Sequence, residues 1–494
     1  MTRSAPSMTR LSLSFLALAL GALLLADLSV VTRDPGHELA LLGQGLLSPS
    51  LLSLDVLADA LANTLAFALI AVTLSALMGL LVAQFFHWRL VRVVCAFLRA
   101  IHEVFWALIF LQLYGLSTLT GLLALTLPFT AIFAKVFAEI LDEADPTPRQ
   151  ALPGGTGLLS AELYARLALC WPQLKNYILY RMECGIRSSA VLGFIGLPTL
   201  GFHLETAFKQ GDYSDLSALL YLFFILIAGI RYWLRLPLLW LYIPLAFWWL
   251  PFEISGSYSA WRFFSEDIWP QALHQADFSL AGWVAAGAWY ADLLQGQAGE
   301  GVMNTLLLSL IALVASGILT LLFYPLISPL FFGRIGRSLG HAGLVVTRSI
   351  PELMLAFLFL IIFGPSMLPA ILALALHNGA IIGHLIGRLS AQMALRPDAS
   401  RGANRYFYET TPRLYRPFLA FLFYRWEVIM RETAILGILG IHTLGFYVDS
   451  AFEDIRYDRA FFLILITAML NIGVDALSRQ IRRRLRLNLS PQKC

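Results

Sequence analysis

The chain has 494 residues, 59% of them hydrophobic and 13% charged, with a formal charge of +4 and a mean hydropathy of +0.73. A soluble domain carries about 25% charged residues, so these figures exclude a large soluble enzyme and make lipid the main solvent. The cations are nearly all arginine and sit beside apolar segments. That is the pattern of membrane topology signals rather than of a nucleic-acid surface.

The chain opens with Arg3 and Arg10 ahead of an apolar run that ends near Val31. A signal peptide shares this layout. No small-x-small cleavage site follows and many apolar runs come later, so the run is read as the first membrane helix. A span needs roughly 20 apolar residues. Twelve are expected, near 11–31, 56–86, 97–116, 119–140, 172–197, 216–234, 236–253, 301–331, 346–364, 367–389, 414–441 and 460–478. Backbone groups in lipid must be satisfied within the segment, so such runs form helices. The alternating segments of a membrane barrel are missing. The expected fold is therefore an all-α polytopic membrane protein.

Arginine placement orients the spans. With the N-terminus in the cytoplasm, the cytoplasmic segments carry Arg89, Arg92 and Arg99, then Arg334, Arg337 and Arg348, then Arg388, Arg396, Arg401 and Arg405, then the basic tail. The opposite side carries Asp34, Glu38, Glu205, Asp212, Asp215, Glu266, Asp267, Asp277 and Asp292. Twelve spans with both termini inside satisfy the positive-inside rule.

The chain is internally duplicated. "RAIHEVFWALIFLQLYG" from Arg99 matches "RSIPELMLAFLFLIIFG" from Arg348, and "LLALTLPFTAI" matches "ILALALHNGAI" at the same offset of 249. "RMECGIRSSAVLGFIG" from Arg181 matches "RWEVIMRETAILGILG" from Arg425 at 244, and Asn63-Thr64-Leu65 matches Asn304-Thr305-Leu306 at 241. The offset changes only between helices, as for a true repeat. The halves are 1–235 and 236–494, six spans each, the second with an external segment at 254–301. An even number of spans per half makes them parallel repeats about an axis along the membrane normal, which excludes inverted repeats.

No nucleotide-binding GxxxxGK[ST], HExxH or GxSxG motif is present. Cys95, Cys170, Cys184 and Cys494 are scattered without metal-ligand spacing, so no cofactor or metal is expected. The informative residues are charges inside spans. Glu183 lies about 16 Å along its helix from Pro172, with Arg187 one turn on; Glu427 and Arg431 repeat the pair. Two readings fit. The pairs are clamps that neutralise themselves and hold the bundle, or they line an anion pathway between the halves. His377 and Asn378 replace Pro128 and Phe129 of the first half, either as an interhelix hydrogen-bonding device or as contacts to a polar substrate. Glu103 and Glu352 are read as structural. Gly193, Gly196, Gly437 and Gly440 close the charged helices, where glycine permits a break or close backbone approach; a gate belongs there. The segments 142–171 and 390–413, each running from a glycine to a proline (Gly157 to Pro172, Gly402 to Pro412), are expected to form short surface helices open to a soluble partner.

"RSIPELMLAFLFLIIFG", "LALALHNGAIIG", "SRGANR" and "YRMECGIRSSAVLGFIG" resemble the permease subunits of phosphonate-type ABC importers over most of both halves. The resemblance implies two permease copies of the type I importer fold fused in one chain of the bacterial inner membrane. It implies two ATP-binding cassette subunits docked on the cytoplasmic segments, and a periplasmic or extracellular substrate-binding protein. The substrate implied is a phosphonate or a related phosphorus oxyanion, and ATP chemistry falls to the partners, which fits a chain that is not itself an enzyme. The Glu-Ala-Ala of the usual cytoplasmic loop is missing, and His102 stands where the second half has Pro351. The competing reading is an ion-coupled secondary transporter with two parallel six-helix halves, coupled through His377 or the Glu-Arg pairs and needing no ATPase. A membrane enzyme requires a clustered nucleophile, base or metal site, which the sequence lacks.

Overall fold

The computed structural model describes residues 5–485 and 487, apart from 33, 51–53, 146, 154, 252–258, 276–278 and 397. Among these there is helix and no strand; the protein is an all-α polytopic membrane protein. Its helices of ten or more residues are, in the first half, α1 (Ala5–Leu25), α2 (Pro35–Leu47), α3 (Leu54–Ala83), α4 (Arg89–Ala100), α5 (Glu103–Tyr114), α6 (Thr118–Asp142), α7 (Ala168–Val191), α8 (Leu200–Gln210) and α9 (Tyr213–Ala228). The second half continues with α10 (Leu236–Trp249), α11 (Leu280–Gln295), α12 (Gln297–Ile327), α13 (Arg334–Ser349), α14 (Glu352–Phe363), α15 (Met367–Ala391), α16 (Thr411–Ile435), α17 (Leu444–Glu453) and α18 (Tyr457–Arg484).

Each of the twelve expected positions falls on a helix. By length and composition, six helical stretches are able to cross a membrane, or ten if each of four bent pairs counts as one crossing. The remaining two positions are the shorter apolar helices α9 and α10. The third and ninth expected spans differ from the reading of the sequence. Each is a bent pair, α4 with α5 at 90° and α13 with α14 at 93°. α5 and α14 have 12 residues apiece, about 18 Å of helix, short of the roughly 30 Å hydrocarbon core. The break has a local cause. Pro351 is the N-cap of α14, and a proline pushes the residue before it out of the helical region. In the first half His102 holds the same position, its Nδ1 accepting the Val104 N–H at 3.3 Å. Two different residues thus stop the amphipathic helix and start the apolar one.

The segments expected as separate surface helices are instead continuous with the spans that follow. Helix runs from Glu162 to Ile195 and from Gly402 to Leu439, each through a π turn, Glu162–Leu167 and Arg405–Thr410. A π turn absorbs an extra residue without ending the helix. Pro172 therefore lies inside α7, while Pro412 sits at the start of α16. The most strongly amphipathic helices are α4 and α13, which carry Arg89, Arg92 and Arg99, and Arg334, Arg337 and Arg348.

In the segment 254–301, the described part contains α11, which forms with α12 one apolar stretch of 48 residues. The two helices meet at Gly296, whose backbone (φ -91°, ψ -115°) is not helical. Residues 254–258 and 276–278 of this segment lie outside the described residues.

Packing divides the chain into two compact units, and these are a different partition from the sequence halves. One combines Met1–Gly43 with Phe264–Cys494; the other is Gln44–Phe263. In the first unit α1 packs on α12, Phe15 meets Phe423 and Trp426 edge-on, and the Val31 N–H donates to the Phe363 carbonyl at 2.8 Å. In the second unit α10 packs on α3.

Each unit uses the repeated Asn-Thr pair for one local task. Thr64 Oγ1 donates to the Ala60 carbonyl at 2.7 Å and accepts the Leu200 N–H at 2.9 Å. Thr305 Oγ1 donates to Gly301 at 2.6 Å and accepts the Leu444 N–H at 3.0 Å. Asn63 Nδ2 donates to the Pro198 carbonyl at 2.9 Å and Asn304 Nδ2 to the His442 carbonyl at 2.8 Å. The N-termini of α8 and α17, whose first N–H groups have no partner within the helix, are pinned to α3 and α12 in the same way.

Candidate functional site: charges held inside the spans

α7 and α16 each end in a single 3-10 turn, Leu192–Ile195 and Leu436–Leu439, closed by a left-handed glycine: Gly196 at φ 94° and Gly440 at φ 82°. The chain then turns into α8 and α17 with bends of 50° and 45°. Gly193 and Gly437 do something else. A Cβ on Gly193 would lie 2.0 Å from the Phe202 nitrogen, and one on Gly437 2.1 Å from the Phe446 nitrogen. The helix end and the start of the next helix touch backbone to backbone. The glycines named from the sequence are therefore the helix breaks, with two distinct jobs: Gly196 and Gly440 supply the conformation, Gly193 and Gly437 the clearance.

On α7, Glu183 and Arg187 form the expected pair, loosely, at 3.8 Å, with side chains 31% and 17% exposed. An ion pair that open is worth little by itself. On α16, Glu427 and Arg431 are one turn apart and half-buried. The tighter arrangements join the candidates His377 and Asn378 to residues that the sequence did not single out as site residues, beginning with the arginine that opens both quoted stretches.

Around Arg425, the Nε donates to Asn378 Oδ1 at 2.7 Å. Asn378 Nδ2 donates to Glu432 Oε2 at 3.2 Å and to the Leu374 carbonyl at 3.0 Å. Arg425 Nη2 lies 3.9 Å from Glu432 Oε1. Asn378 and Glu432 are buried, so the amide works as a two-sided connector between a cation and an anion on α16. A buried pair needs such added hydrogen bonds to offset its desolvation.

Next to Asn378, His377 Nδ1 meets the Ile350 carbonyl at 2.9 Å, and a carbonyl only accepts, so Nδ1 carries the hydrogen. The His377 Nε2 lies 3.4 Å from Glu352 Oε2. That contact is favourable when one proton is shared between imidazole and carboxylate. His377 and Asn378 thus direct their polar atoms at neighbouring helices.

The equivalent arginine of the other half, Arg181, has different partners. Its guanidinium lies over the Phe129 ring at 5.3 Å and the Tyr177 ring at 5.8 Å, and its Nε donates to Tyr177 Oη at 3.1 Å. Phe129 occupies the Asn378 position and Ser188 the Glu432 position. Ser188 Oγ donates to Glu103 Oε1 at 2.6 Å, with His102 Nδ1 3.6 Å from Glu103 Oε2. The repeat has kept the arginine, and the glutamate that starts α5 and α14, while exchanging what holds the arginine: rings on one side, a carboxylate and an amide on the other. Glu432 was legible only as the point where "RETAILG" departs from "RSSAVLG".

The coupling candidates Gly157 and Pro172 lie before and within the helical run that leads into α7. Gly402, at φ 62°, starts the run into α16. These runs are tied down by Arg166, which pairs with Asp142 at 2.9 Å and Glu162 at 3.1 Å, and by Arg413, which pairs with Glu409 at 2.9 Å. No group of three or more metal-ligating side chains occurs among the described residues.

Comparison with known proteins finds relatives along most of the chain. It is 25% identical over 427 residues to a phosphate-import permease protein of Mycolicibacterium smegmatis, covering 80% of this chain and 77% of that protein. It is 30% identical over 170 residues to a phosphite transport system permease protein of Stutzerimonas stutzeri, 33% of this chain and 62% of the relative. It is 29% identical over 108 residues to a putative cryptic phosphonate transport system permease protein of Escherichia coli, 22% of this chain and 88% of the relative. No protein-family profile matches, and no solved structure matches. The chain is thus similar, along 80% of its length, to proteins named as permeases of phosphate, phosphite and phosphonate transport.

Proposed function

We propose that this chain is the membrane permease of an ABC importer for a phosphonate or a related phosphorus oxyanion, with ATP hydrolysis in partner subunits. The observation that carries the reading is the alignment with a phosphate-import permease over 80% of the chain. The lengths support a fused pair of permease copies: the 170 residues aligned with the phosphite relative make up 62% of that protein but only 33% of this chain. One polypeptide then supplies both sides of a pathway that two single-length permeases build elsewhere.

In this reading the protein lies in the bacterial inner membrane with both termini in the cytoplasm. Two ATPase subunits engage the helical runs beginning near Gly157 and Gly402, and a binding protein delivers the anion from outside. Closure of the ATPases moves those runs. Because the runs are continuous with α7 and α16, the movement reaches the glycine breaks without a joint between. Co-purification tests this: the chain expressed with its genomic neighbours is expected to carry an ATPase subunit, and a stable, active transporter that lacks one contradicts the reading.

If these arginines line the pathway, Arg187→Ala and Arg431→Ala are expected to lower uptake tenfold or more while leaving assembly intact. Loss of assembly instead of uptake makes these arginines clamps. The His377–Glu352 contact favours a second reading, proton-coupled transport. A protonophore is then expected to stop uptake at undiminished ATP, which the first reading does not allow.

A further inference from the structure

Between the end of α12, the amphipathic α13 and the last turns of α15 lies a cavity of about 430 Å³, lined by Ile327, Arg334, Arg337, Ser338, His341, His384, Gly387, Arg388 and Ala391. The lining follows from helix periodicity. Positions 334, 337, 338 and 341 form one face of α13, and 384, 387, 388 and 391 form one face of α15. Three guanidiniums and two imidazoles converge there, and the lining contains no carboxylate.

Two side chains point to a missing partner. His384 is only 6% exposed, and its Nδ1 has no hydrogen-bond partner. The buried Nε of Arg337 has none either. The His384 ring stands 5.1 Å from the His341 ring. Buried polar atoms are nearly always hydrogen-bonded.

The other half provides an internal control. At the offset of 249, Arg334 and Arg337 correspond to Phe85 and Trp88, His384 to Lys135 and Arg388 to Glu139. Phe85 and Trp88 contact each other at 5.4 Å, and Lys135 is neutralised by Glu139 at 3.9 Å. The space between α4 and α6 is filled by Cys95, Ala131 and Ala134, with Val82, Phe86, Val91 and Leu98 packed on them. The same junction is an apolar core in one repeat and an open, cationic cavity in the other. Packing alone does not require the cations, since the first half closes the junction without them.

We propose that this cavity is a binding site for a phosphoryl group, with Arg334, Arg337 and Arg388 as charge partners and His384 as a hydrogen-bonding floor. Arginine forks match the oxygens of a tetrahedral phosphorus oxyanion, and the cavity holds far more than one such group. The occupant is either a free oxyanion or the phosphodiester of an anionic lipid, because basic pockets between membrane helices also take lipid headgroups.

The test uses the full chain in nanodiscs, with inorganic phosphate titrated calorimetrically and the unfolding temperature read in parallel. In phosphatidylcholine, phosphate is expected to bind and to raise the unfolding temperature. Arg337→Gln with Arg388→Gln is expected to weaken that binding about a hundredfold, roughly tenfold per charge-assisted contact. Lys135→Gln, in the other repeat, is expected to change nothing. In phosphatidylglycerol, a lipid occupant shows as stabilisation without added phosphate, lost in the double variant, whereas a free anion shows equal binding in both lipids. Phosphate binding that survives the double variant but disappears in Arg187→Ala belongs to the transport pathway and overturns this site, while leaving the permease reading in place. Absence of phosphate binding together with absence of variant-sensitive stabilisation by phosphatidylglycerol overturns it as well.

Discussion

Gly437→Ala and Gly193→Ala are expected to be highly destructive single-methyl changes, reducing the recoverable folded chain severely. The added Cβ would sit 2.1 Å from Phe446 N and 2.6 Å from Gly445 C at position 437, and 2.0 Å from Phe202 N and 2.4 Å from Gly201 C at position 193. The obstructing atoms are backbone, so no rotamer relieves the clash and α8 or α17 must move off its neighbour. Overpacking of a tight interior costs about 1–3 kcal/mol or more; here the same movement also strains the hydrogen bonds from Leu200 and Leu444 to Thr64 and Thr305, so about 3 kcal/mol or more is expected.

Gly196→Ala and Gly440→Ala provide the contrast. Their new methyls have room, with the nearest atoms 3.5 Å away in Leu116 and 4.0 Å away in Pro365. Only the left-handed backbone resists them, at about 1–2 kcal/mol. Unfolding temperature and the monodisperse fraction after extraction measure both sets. Equal losses at all four positions contradict the division of labour between clearance and conformation.

Arg425→Leu is expected to destabilise the chain by about 3–5 kcal/mol, because it removes the arginine that Asn378 ties to the buried Glu432. Arg181→Leu is expected to cost less, about 2 kcal/mol. It removes cation–π contacts with Phe129 and Tyr177 and the Tyr177 hydrogen bond, and strands no bound carboxylate. The double change Arg425→Leu with Glu432→Leu is expected to be milder than Arg425→Leu alone, since removing both charges also removes the desolvation that each imposed. A double-mutant cycle on unfolding temperature reads this coupling. Additive losses contradict the Arg425–Asn378–Glu432 arrangement.

The sequence carried the helical class and the repeat because both rest on patterns that need no tertiary contact: runs of apolar residues and offsets that shift only between helices. It also located the glycine breaks, since Leu-Gly-x-x-Gly after a charged helix is a local signal. It did not show the bend within the third and ninth expected spans. Hydropathy merges α4 with α5 and α13 with α14, while the 90° bend depends on a single residue, His102 or Pro351. It did not show that the runs into α7 and α16 are continuous helix, because a π turn leaves no signature in composition.

The partners of Arg181 and Arg425 were out of reach for another reason. Spacing within one helix suggested Glu183 with Arg187, yet Arg425 is held by Asn378 of another helix and by Glu432 seven residues on, and Arg181 by an aromatic ring. Which partner an ion takes in lipid is decided between helices, where the repeat diverged most. The cationic cavity was hidden likewise: Arg334, Arg337 and Arg388 served only as topology signals until α13 folded back on α15.

The most direct measurement is uptake of radiolabelled methylphosphonate, phosphite and phosphate into proteoliposomes that contain this chain with its ATPase and binding-protein partners, with ATP supplied on the ATPase side. The account predicts accumulation of at least one of these oxyanions that requires ATP and the binding protein and persists with a protonophore present. Uptake driven by a proton or sodium gradient without ATP, or failure to move any phosphorus oxyanion by a complex that hydrolyses ATP, contradicts it.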